Sequence, residues 1–194
     1  MAKVKITAAV TLQEQLAADI YDMRIKAPEI AESAVPGQFV SLYSKDGARI
    51  LPRPISLCGI DKEKGELRLV YRIAGEGTKE FSGLTAGDTI DVLGPLGNGF
   101  PLEAGKKAFL IGGGIGVPPM LELAKARAEA SARLDGSASA QAGAQPDGGF
   151  PEQDGGRAGL VQSILGYRDS QMFLKHEFEE FGPVHVATED GSAG

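Results

Sequence analysis

The sequence predicts a β plus α/β fold, in which an antiparallel Greek-key barrel precedes an incomplete parallel α/β domain. Over residues 1–100, short segments rich in β-branched and aromatic residues alternate with turns that contain Gly, Pro, Asp and Lys. From residue 107 onward, continuous apolar runs alternate with helical patterns, which is typical of parallel strands joined by crossover helices. We therefore expect one domain over residues 1–102 and a second over residues 106–194.

Six segments of the first domain have the composition of short β-strands. Several such strands at this spacing favour a small antiparallel barrel. The segments are VKITAAV, DIYDMRI, QFVSLYS, PISLCGI, ELRLVYRI and TIDVLG. EGTKEFSGL (76–84) interrupts them, and we expect a single helical turn there with Thr78 as its N-cap.

Strands and helices alternate in the second domain. KAFLI is a continuous apolar segment of the kind found in buried parallel strands, and PPMLELAKARAEA follows as a helix with proline in its first turn. LVQSILGY predicts the second strand and PVHVATED the third. Between these two, SQMFLKHEFEEF predicts an amphipathic helix with Leu174, Phe178 and Phe181 on one face.

Two features of the second domain are unusual. Residues 128–160 are poor in large apolar residues and rich in Ala, Gly, Ser, Gln and Asp, so we expect a low-complexity, disordered insertion there. The sequence also stops just after the third strand. A parallel sheet normally has helices on both faces, so we expect an incomplete, C-terminally truncated domain that leaves apolar sheet surface exposed.

Composition excludes several classes of function. The formal net charge is −6 and no basic cluster stands out, which argues against nucleic acid and anionic membrane surfaces. No apolar run approaches the roughly 18 residues of a membrane span, and the N-terminus does not resemble a signal peptide. Cys58 is the single cysteine, so we expect no disulfide framework and no metal site in this chain. A soluble, cytoplasmic protein is the expectation.

A glycine-rich turn joins the first strand and helix of the second domain. Gly112, Gly113, Gly114 and Gly116 follow the strand and open the helix, which lets backbone N–H groups approach a phosphate. Read from Gly114, the pattern is G-x-G-x-x-P and ends at Pro119. Taken alone, a tight turn without a ligand explains it as well as a nucleotide site does.

The segment LPRPIS holds Arg53 between two prolines. Each proline restricts the backbone around it, so the arginine lies on a stiff, extended strand entry. A guanidinium placed in this way suits a diphosphate, and the Ser56 hydroxyl follows three residues later. A surface arginine at a barrel corner is an equally good explanation of the segment alone.

The segment YRIAGEGT forms a third candidate. Gly75 and Gly77 flank Glu76, and free N–H groups at such a turn attract phosphate oxygens. A capped turn between strands is the simpler explanation. Motifs of metalloproteases, serine hydrolases and P-loop enzymes are missing, and we interpret His176 and His185 as structural.

Together the three motifs resemble those of the ferredoxin–NADP reductase superfamily. The resemblance implies that Arg53 grips the FAD pyrophosphate and that the Ser56 hydroxyl lies near the reactive flavin nitrogen, where Ser56 is the candidate catalytic residue. The implied FAD-binding residues are Arg53, Pro54, Ile55, Ser56, Val70, Tyr71, Arg72, Gly77 and Thr78. The implied NAD(H)-binding residues are Gly112, Gly113, Gly114, Gly116 and Pro119.

GPLGNGF and ATEDGS narrow the resemblance to the electron-transfer subunits of class B, NAD-linked dihydroorotate dehydrogenase. It covers nearly the whole chain apart from residues 128–160. It implies an oxidoreductase subunit that passes electrons from a dihydroorotate-oxidising partner subunit through FAD to NAD⁺, in pyrimidine biosynthesis. It also implies a [2Fe–2S] cluster on four cysteines, which this chain lacks.

Two alternatives remain open. One is a flavin reductase subunit for another partner, of the hydrogenase, sulfide dehydrogenase or ferredoxin:NADP transhydrogenase type, since these share the barrel and the glycine loop. The other is an inactive flavin-binding fragment.

Overall fold

The computed structural model describes residues 3–47, 49–103, 106–139 and 161–193. The barrel strands are β1 (Val4–Ala17), β2 (Ile20–Lys26), β3 (Phe39–Tyr43), β4 (Arg53–Asp61), β5 (Glu66–Arg72) and β6 (Thr89–Leu96). The second sheet consists of β7 (Ala108–Gly113), β8 (Val161–Tyr167) and β9 (Val184–Thr188). The helices are α1 (Pro28–Ala31), α2 (Glu76–Ser82), α3 (Pro118–Ser139) and α4 (Lys175–Glu179).

The six N-terminal strands close into a barrel in the order β1-β2-β5-β4-β3-β6. All neighbouring strands are antiparallel. Because β3, β4 and β5 are consecutive neighbours and β2 returns to lie beside β5, the topology is a Greek key. This confirms the antiparallel barrel that the strand pattern predicts.

Alternating apolar side chains fill the barrel. Residues on successive strands point inward and are fully buried, among them Met23, Ile25, Leu42, Leu67 and Leu69. Burying one such side chain stabilises a fold by about 1.5–3 kcal/mol. The barrel core therefore gives the N-terminal half a stable frame on which the loops at its rim are placed.

The second sheet is parallel in the order β7-β8-β9, as the alternation of strands and helices predicts. Helix α3 lies between this sheet and the barrel. Leu121 of α3 and Leu110 of β7 belong to the same buried cluster as Cys58 and Val70, which project from the barrel. Barrel and sheet therefore share a second apolar core. Among the described residues, no helix combines the length and apolar character needed to span a membrane.

One face of the parallel sheet exposes apolar side chains. Phe109 is 60% exposed, Ile111 is 70% exposed and Ile164 is 37% exposed. Leu110 and Leu165, which alternate with them, are buried. The exposure agrees with the expected apolar surface on this sheet.

The helices differ from the sequence prediction in four places. Helix α1 was not predicted, and α2 forms about two turns instead of one. Helix α3 runs to Ser139, so the expected disordered insertion is wrong for residues 128–139, while residues 140–160 lie outside the described ranges. The helix expected over residues 170–181 is confined to α4. Leu174 at its N-cap has a left-handed backbone with φ of 65°, which prevents the helix from starting earlier.

Candidate functional site

The wall of the barrel opens between β4 and β5. The ladder that joins these strands runs from Asp61↔Glu66 only as far as Leu57↔Leu69. Beyond that point, residues 53–56 pair with β3 and residues 70–72 pair with β2. Each strand therefore presents an edge whose backbone groups are not paired across the opening. Such edges are obligatory hydrogen-bonding surfaces that need a partner or solvent.

The residues predicted to bind FAD border this opening, but their side chains differ in placement. On β4, Pro54 and Ser56 are exposed, whereas Ile55 is half-buried and packs against the barrel core. On β5, Val70 is buried in the second core and Arg72 is exposed. The structure thus brings both predicted segments together along one opening.

Tyr71 contributes its side chain to the barrel core. The ring is 1% exposed, stacks on Tyr21 with 6.1 Å between centroids and meets Phe81 edge-on at 6.5 Å. Its hydroxyl accepts a hydrogen bond of 2.8 Å from Gln13 Nε2. Burial raises the pKa of Tyr71 to about 12. The part of Tyr71 that borders the opening is its main chain.

Arg53 lies at the end of the opening, against the start of α2. A β-carbon added to Gly77 would stand 2.4 Å from Arg53 Nε and 2.6 Å from its central guanidinium carbon. The guanidinium also donates a hydrogen bond to the carbonyl of Leu51. Within the described ranges, Arg53 forms no ion pair with a carboxylate.

Thr78 closes the turn that leads into α2. Its hydroxyl accepts hydrogen bonds from the N–H groups of Ala74 at 2.9 Å and Gly75 at 3.2 Å, and donates to the Gly75 carbonyl at 3.0 Å. The expectation that Thr78 is the N-cap is wrong, because Gly75 occupies that position and Thr78 is the third helical residue. Thr78 therefore fixes the turn that carries Gly77.

The glycine loop joins β7 to α3 through a short 3-10 turn over Gly114–Gly116. A β-carbon on Gly112 would stand 3.0 Å from both the carbonyl oxygen of Gly116 and the Cα of Val117. At Gly113, Gly114 and Gly116 the same addition would meet open space. Gly112 is thus required by packing, while the other three leave room in front of the loop.

Pro119, the last residue of the predicted motif, is the second residue of α3 and half-buried. Proline is tolerated in the first turn of a helix because the N–H it lacks would have no intrahelical partner there. Pro119 therefore supports the helix start.

A cleft of about 270 Å³ separates the barrel rim from the glycine loop. Asp19 and Arg72 line it from the barrel, and Gly114, Arg168 and Asp169 line it from the parallel sheet. Neither Arg168 nor Asp169 is among the site residues predicted from the sequence. Their position directly after β8 could have indicated them as site residues, because ligands of parallel sheets bind at the carboxyl ends of the strands.

Cys58, the single cysteine, is buried, and its burial raises the pKa of the thiol. In the part of the chain that the structure describes, no group of three or more His, Cys, Asp and Glu side chains is arranged to hold a metal ion. His176 is exposed and its Nδ1 lies 2.9 Å from the Glu179 carboxylate. His185 lies on β9 and is exposed.

Comparison with known proteins first identifies the class of fold. Residues 7–100 match the oxidoreductase FAD-binding domain family. The solved structure of an NADH-dependent reduced ferredoxin–NADP oxidoreductase is similar to this chain, with a TM-score of 0.75 and 28% identity. The match covers 96% of this chain and 58% of the chain of that protein. The ferredoxin reductase of carbazole 1,9a-dioxygenase, at 17% identity and a TM-score of 0.71 over 97% of this chain and 51% of its own, shares the fold. The chain therefore has a ferredoxin reductase-like fold, and its N-terminal half is similar to the FAD-binding domains of oxidoreductases.

Curated relatives are more similar in sequence than these structures. The electron-transfer subunit of dihydroorotate dehydrogenase B (NAD⁺) from Bacillus caldolyticus is 40% identical over 190 residues, which are 95% of this chain and 63% of that protein. The subunit of the same name from Geobacillus kaustophilus (strain HTA426) is 39% identical over the same shares. The chain is similar over nearly its whole length to these electron-transfer subunits, and it spans about 63% of the length of the relatives it matches.

Proposed function

We propose that this chain binds FAD in the opening between β4 and β5 and NAD(H) at the glycine loop. In this proposal residues 1–102 form the FAD domain and residues 106–194 the nucleotide domain. Electrons from a dihydroorotate-oxidising partner subunit reach NAD⁺ through the flavin. The 40% identity to subunits named for this role supports the proposal.

The FAD site fits the residues at the opening. The single most telling observation is the guanidinium of Arg53, which lies directly against Gly77 and forms no ion pair with a carboxylate among the described residues. Such a charge suits a diphosphate, which a guanidinium binds with charge-assisted hydrogen bonds. Five further residues border the opening through their main chain or exposed surface, namely Pro54, Ile55, Val70, Tyr71 and Arg72. FAD, when bound, supplies the acceptance and return of a hydride.

Ser56 is the proposed catalytic residue. Its side chain is exposed at the opening, and a hydroxyl both donates and accepts hydrogen bonds. We assign it the role of a hydrogen-bond partner to the reacting end of the flavin. Gly77 and Thr78 act at the diphosphate end of the proposed FAD site. Gly77 leaves room for the guanidinium of Arg53, and Thr78 holds the turn that carries Gly77.

The NAD(H) site is assigned to Gly112, Gly113, Gly114, Gly116 and Pro119. Open space in front of Gly113, Gly114 and Gly116 leaves room for a phosphate. The loop precedes α3, whose N-terminus carries partial positive charge. The cleft lined by both Gly114 and Arg72 supports this assignment, because transfer between two cofactors requires the glycine loop to lie near the proposed flavin site.

A [2Fe–2S] cluster held by four cysteines does not fit the residues of this sequence. Its one cysteine, Cys58, is buried within the core shared by barrel and sheet. We therefore assign no step of the relay to a cluster on these residues. We also propose that the chain assembles with a catalytic partner subunit and that it is located in the cytoplasm.

A second candidate is a flavin reductase subunit for a different electron donor. It is favoured by the likeness to the ferredoxin–NADP oxidoreductase, at 28% identity over 96% of this chain. Barrel, opening and glycine loop would serve either partner equally. The two candidates therefore differ only in the protein that delivers electrons.

Two measurements test the proposal in sequence. The purified chain should bind FAD and not FMN, as detected by quenching of flavin fluorescence on titration; absence of binding would overturn the FAD site. The product of the whole gene is then combined with a dihydroorotate-oxidising subunit, dihydroorotate and NAD⁺, and NADH formation is followed at 340 nm. Flavin binding without NADH formation, together with activity on reduced ferredoxin, would favour the second candidate.

A further inference from the structure

Arg49 joins two parts of the barrel that are distant in sequence. It lies in the connection between β3 and β4, and its side chain reaches across to α2. Its Nη1 donates to a carboxylate oxygen of Glu80 at 2.7 Å and to the main-chain carbonyl of Glu76 at 3.2 Å. The side chains of Arg49 and Glu80 are 28% and 25% exposed, so this pair is partly shielded from solvent.

The carboxylate of Glu80 contacts both ends of the connection between β3 and β4. Its carboxylate accepts hydrogen bonds from the Ser44 hydroxyl and, at 2.9 Å, from the N–H of Lys45. Ser44 directly follows β3, whereas Arg49 precedes β4. A single carboxylate on α2 therefore holds the start of the connection through Ser44 and Lys45 and its end through Arg49.

The same two elements carry the proposed diphosphate site. Arg53 follows Arg49 by four residues, and Gly77 precedes Glu80 by three, which is about one helical turn. The connection is thus fixed to α2 at Arg49–Glu80, while Arg53 crosses the same helix at Gly77. A shift of the connection would move Arg53 relative to Gly77.

We propose that Arg49 and Glu80 form a positioning pair that preorganises Arg53 for the FAD diphosphate. This inference rests on the proposed FAD site. Neither residue of the pair needs to touch the cofactor. Their effect is to keep the guanidinium of Arg53 in place before FAD arrives, which reduces the ordering cost of binding.

A positioning role differs from a purely structural one in what it changes. A partly exposed ion pair contributes little to overall stability, so Arg49→Ala should leave the melting temperature of the FAD-free chain nearly unchanged. The same variant should raise the FAD dissociation constant roughly five- to tenfold and speed FAD release, because charge-assisted contacts to the cofactor depend on the position of Arg53.

The experiment compares Arg49→Ala, Arg49→Lys and Glu80→Gln with the parent, using the 194-residue chain throughout. FAD affinity and release are followed by flavin fluorescence, and the FAD-free melting temperature by circular dichroism. Lys64→Ala is the matched control, because Lys64 forms an exposed ion pair with Asp61 at 3.3 Å in the β4–β5 turn. It should behave as the parent does, and Arg49→Lys should recover part of the affinity.

A double-mutant cycle with Arg53→Ala tests whether Arg49 acts through Arg53. If it does, Arg49→Ala should weaken FAD binding in the parent and have almost no further effect once Arg53 is removed. Additive effects would overturn the inference, as would unchanged FAD binding in both Arg49→Ala and Glu80→Gln. A loss of FAD-free stability in Arg49→Ala that matches its loss of FAD affinity would also overturn it. A parent chain that binds no FAD would refute the proposed function itself, a separate result.

Discussion

The guanidinium of Arg53 lies where a side chain of residue 77 would be, because a β-carbon added to Gly77 would stand 2.4 Å from Arg53 Nε. Gly77 lies at the start of α2 and Arg53 at the start of β4, so the contact joins a barrel strand to the helix between β5 and β6. A residue with any side chain at position 77 would displace the arginine. The glycine is therefore required at this position for the guanidinium to keep its place.

Gly77→Ala should weaken FAD binding at least about tenfold, because the new methyl group moves the proposed diphosphate ligand. The dissociation constant is measured by flavin fluorescence. Gly83→Ala, at the C-cap of the same helix, is the matched control, since a β-carbon there would stand 3.5 Å from the Glu80 carbonyl, an ordinary contact. Equal affinities in the two variants would contradict the assignment of Arg53 to the diphosphate.

Arg53→Ala should reduce FAD affinity by about 1.5–3 kcal/mol, the range for hydrogen bonds to charged groups. Calorimetric titration of the FAD-free chain measures this loss. Arg24→Ala serves as control, because Arg24 on β2 lies 3.9 Å from Glu66 in an ion pair remote from α2. Unchanged FAD affinity in Arg53→Ala would exclude Arg53 as a ligand.

Ser56→Ala should slow the reduction of bound FAD by NADH about tenfold while FAD stays bound, because one hydrogen bond to the flavin is lost. Stopped-flow absorbance under anaerobic conditions follows the reduction. Ser82→Ala is the control, since that hydroxyl donates to the Lys79 carbonyl within α2. Reduction of the Ser56 variant at the parent rate would rule out the catalytic role.

The barrel and the parallel sheet were predictable because their patterns are local. Alternation in segments such as ELRLVYRI depends only on which side chains face the core, and it appears directly in the sequence. The opening between β4 and β5 was not predictable in this way. Residues 53–56 and 70–72 have the composition of paired strands, and only the three-dimensional register shows that they do not pair with each other.

The helical errors have particular physical causes. The segment after residue 128 was interpreted from its low complexity, although alanine is the residue with the highest helix propensity and α3 continues through it to Ser139. The apolar period of residues 170–181 predicted a longer helix, yet the φ of 65° at Leu174 interrupts it. For a leucine this left-handed backbone conformation is uncommon, and no pattern in the sequence predicts it.

Stability should depend on pH through Glu80. Burial of its carboxyl opposes ionisation, but hydrogen bonds from Ser44 and Lys45 and the charge of Arg49 outweigh it and lower its pKa. A carboxyl whose pKa is lower in the folded state stabilises the fold above its unfolded pKa, near 4.3. That stabilisation disappears as the pH falls through the folded value.

Urea unfolding of the parent and of Glu80→Gln between pH 7 and pH 3 measures this contribution. The parent should be the more stable at pH 7, and the difference in free energy of unfolding should shrink as the pH drops below about 4. A difference that stays constant over this range would contradict the assigned ionisation of Glu80.

The glycine loop allows packing to be separated from ligand binding. Gly112→Ala should lower the melting temperature, because its β-carbon would stand 3.0 Å from the Gly116 carbonyl and the Val117 Cα. Gly113→Ala should leave the melting temperature unchanged, since Gly113 has an extended backbone with φ of −126° and its β-carbon would meet open space. If a nucleotide phosphate approaches this loop, the same methyl group should nonetheless weaken NADH binding, by about tenfold or more. Calorimetry with NADH and thermal melts of both variants measure the two effects. Gly113→Ala with NADH affinity equal to the parent would place the nucleotide elsewhere on the chain.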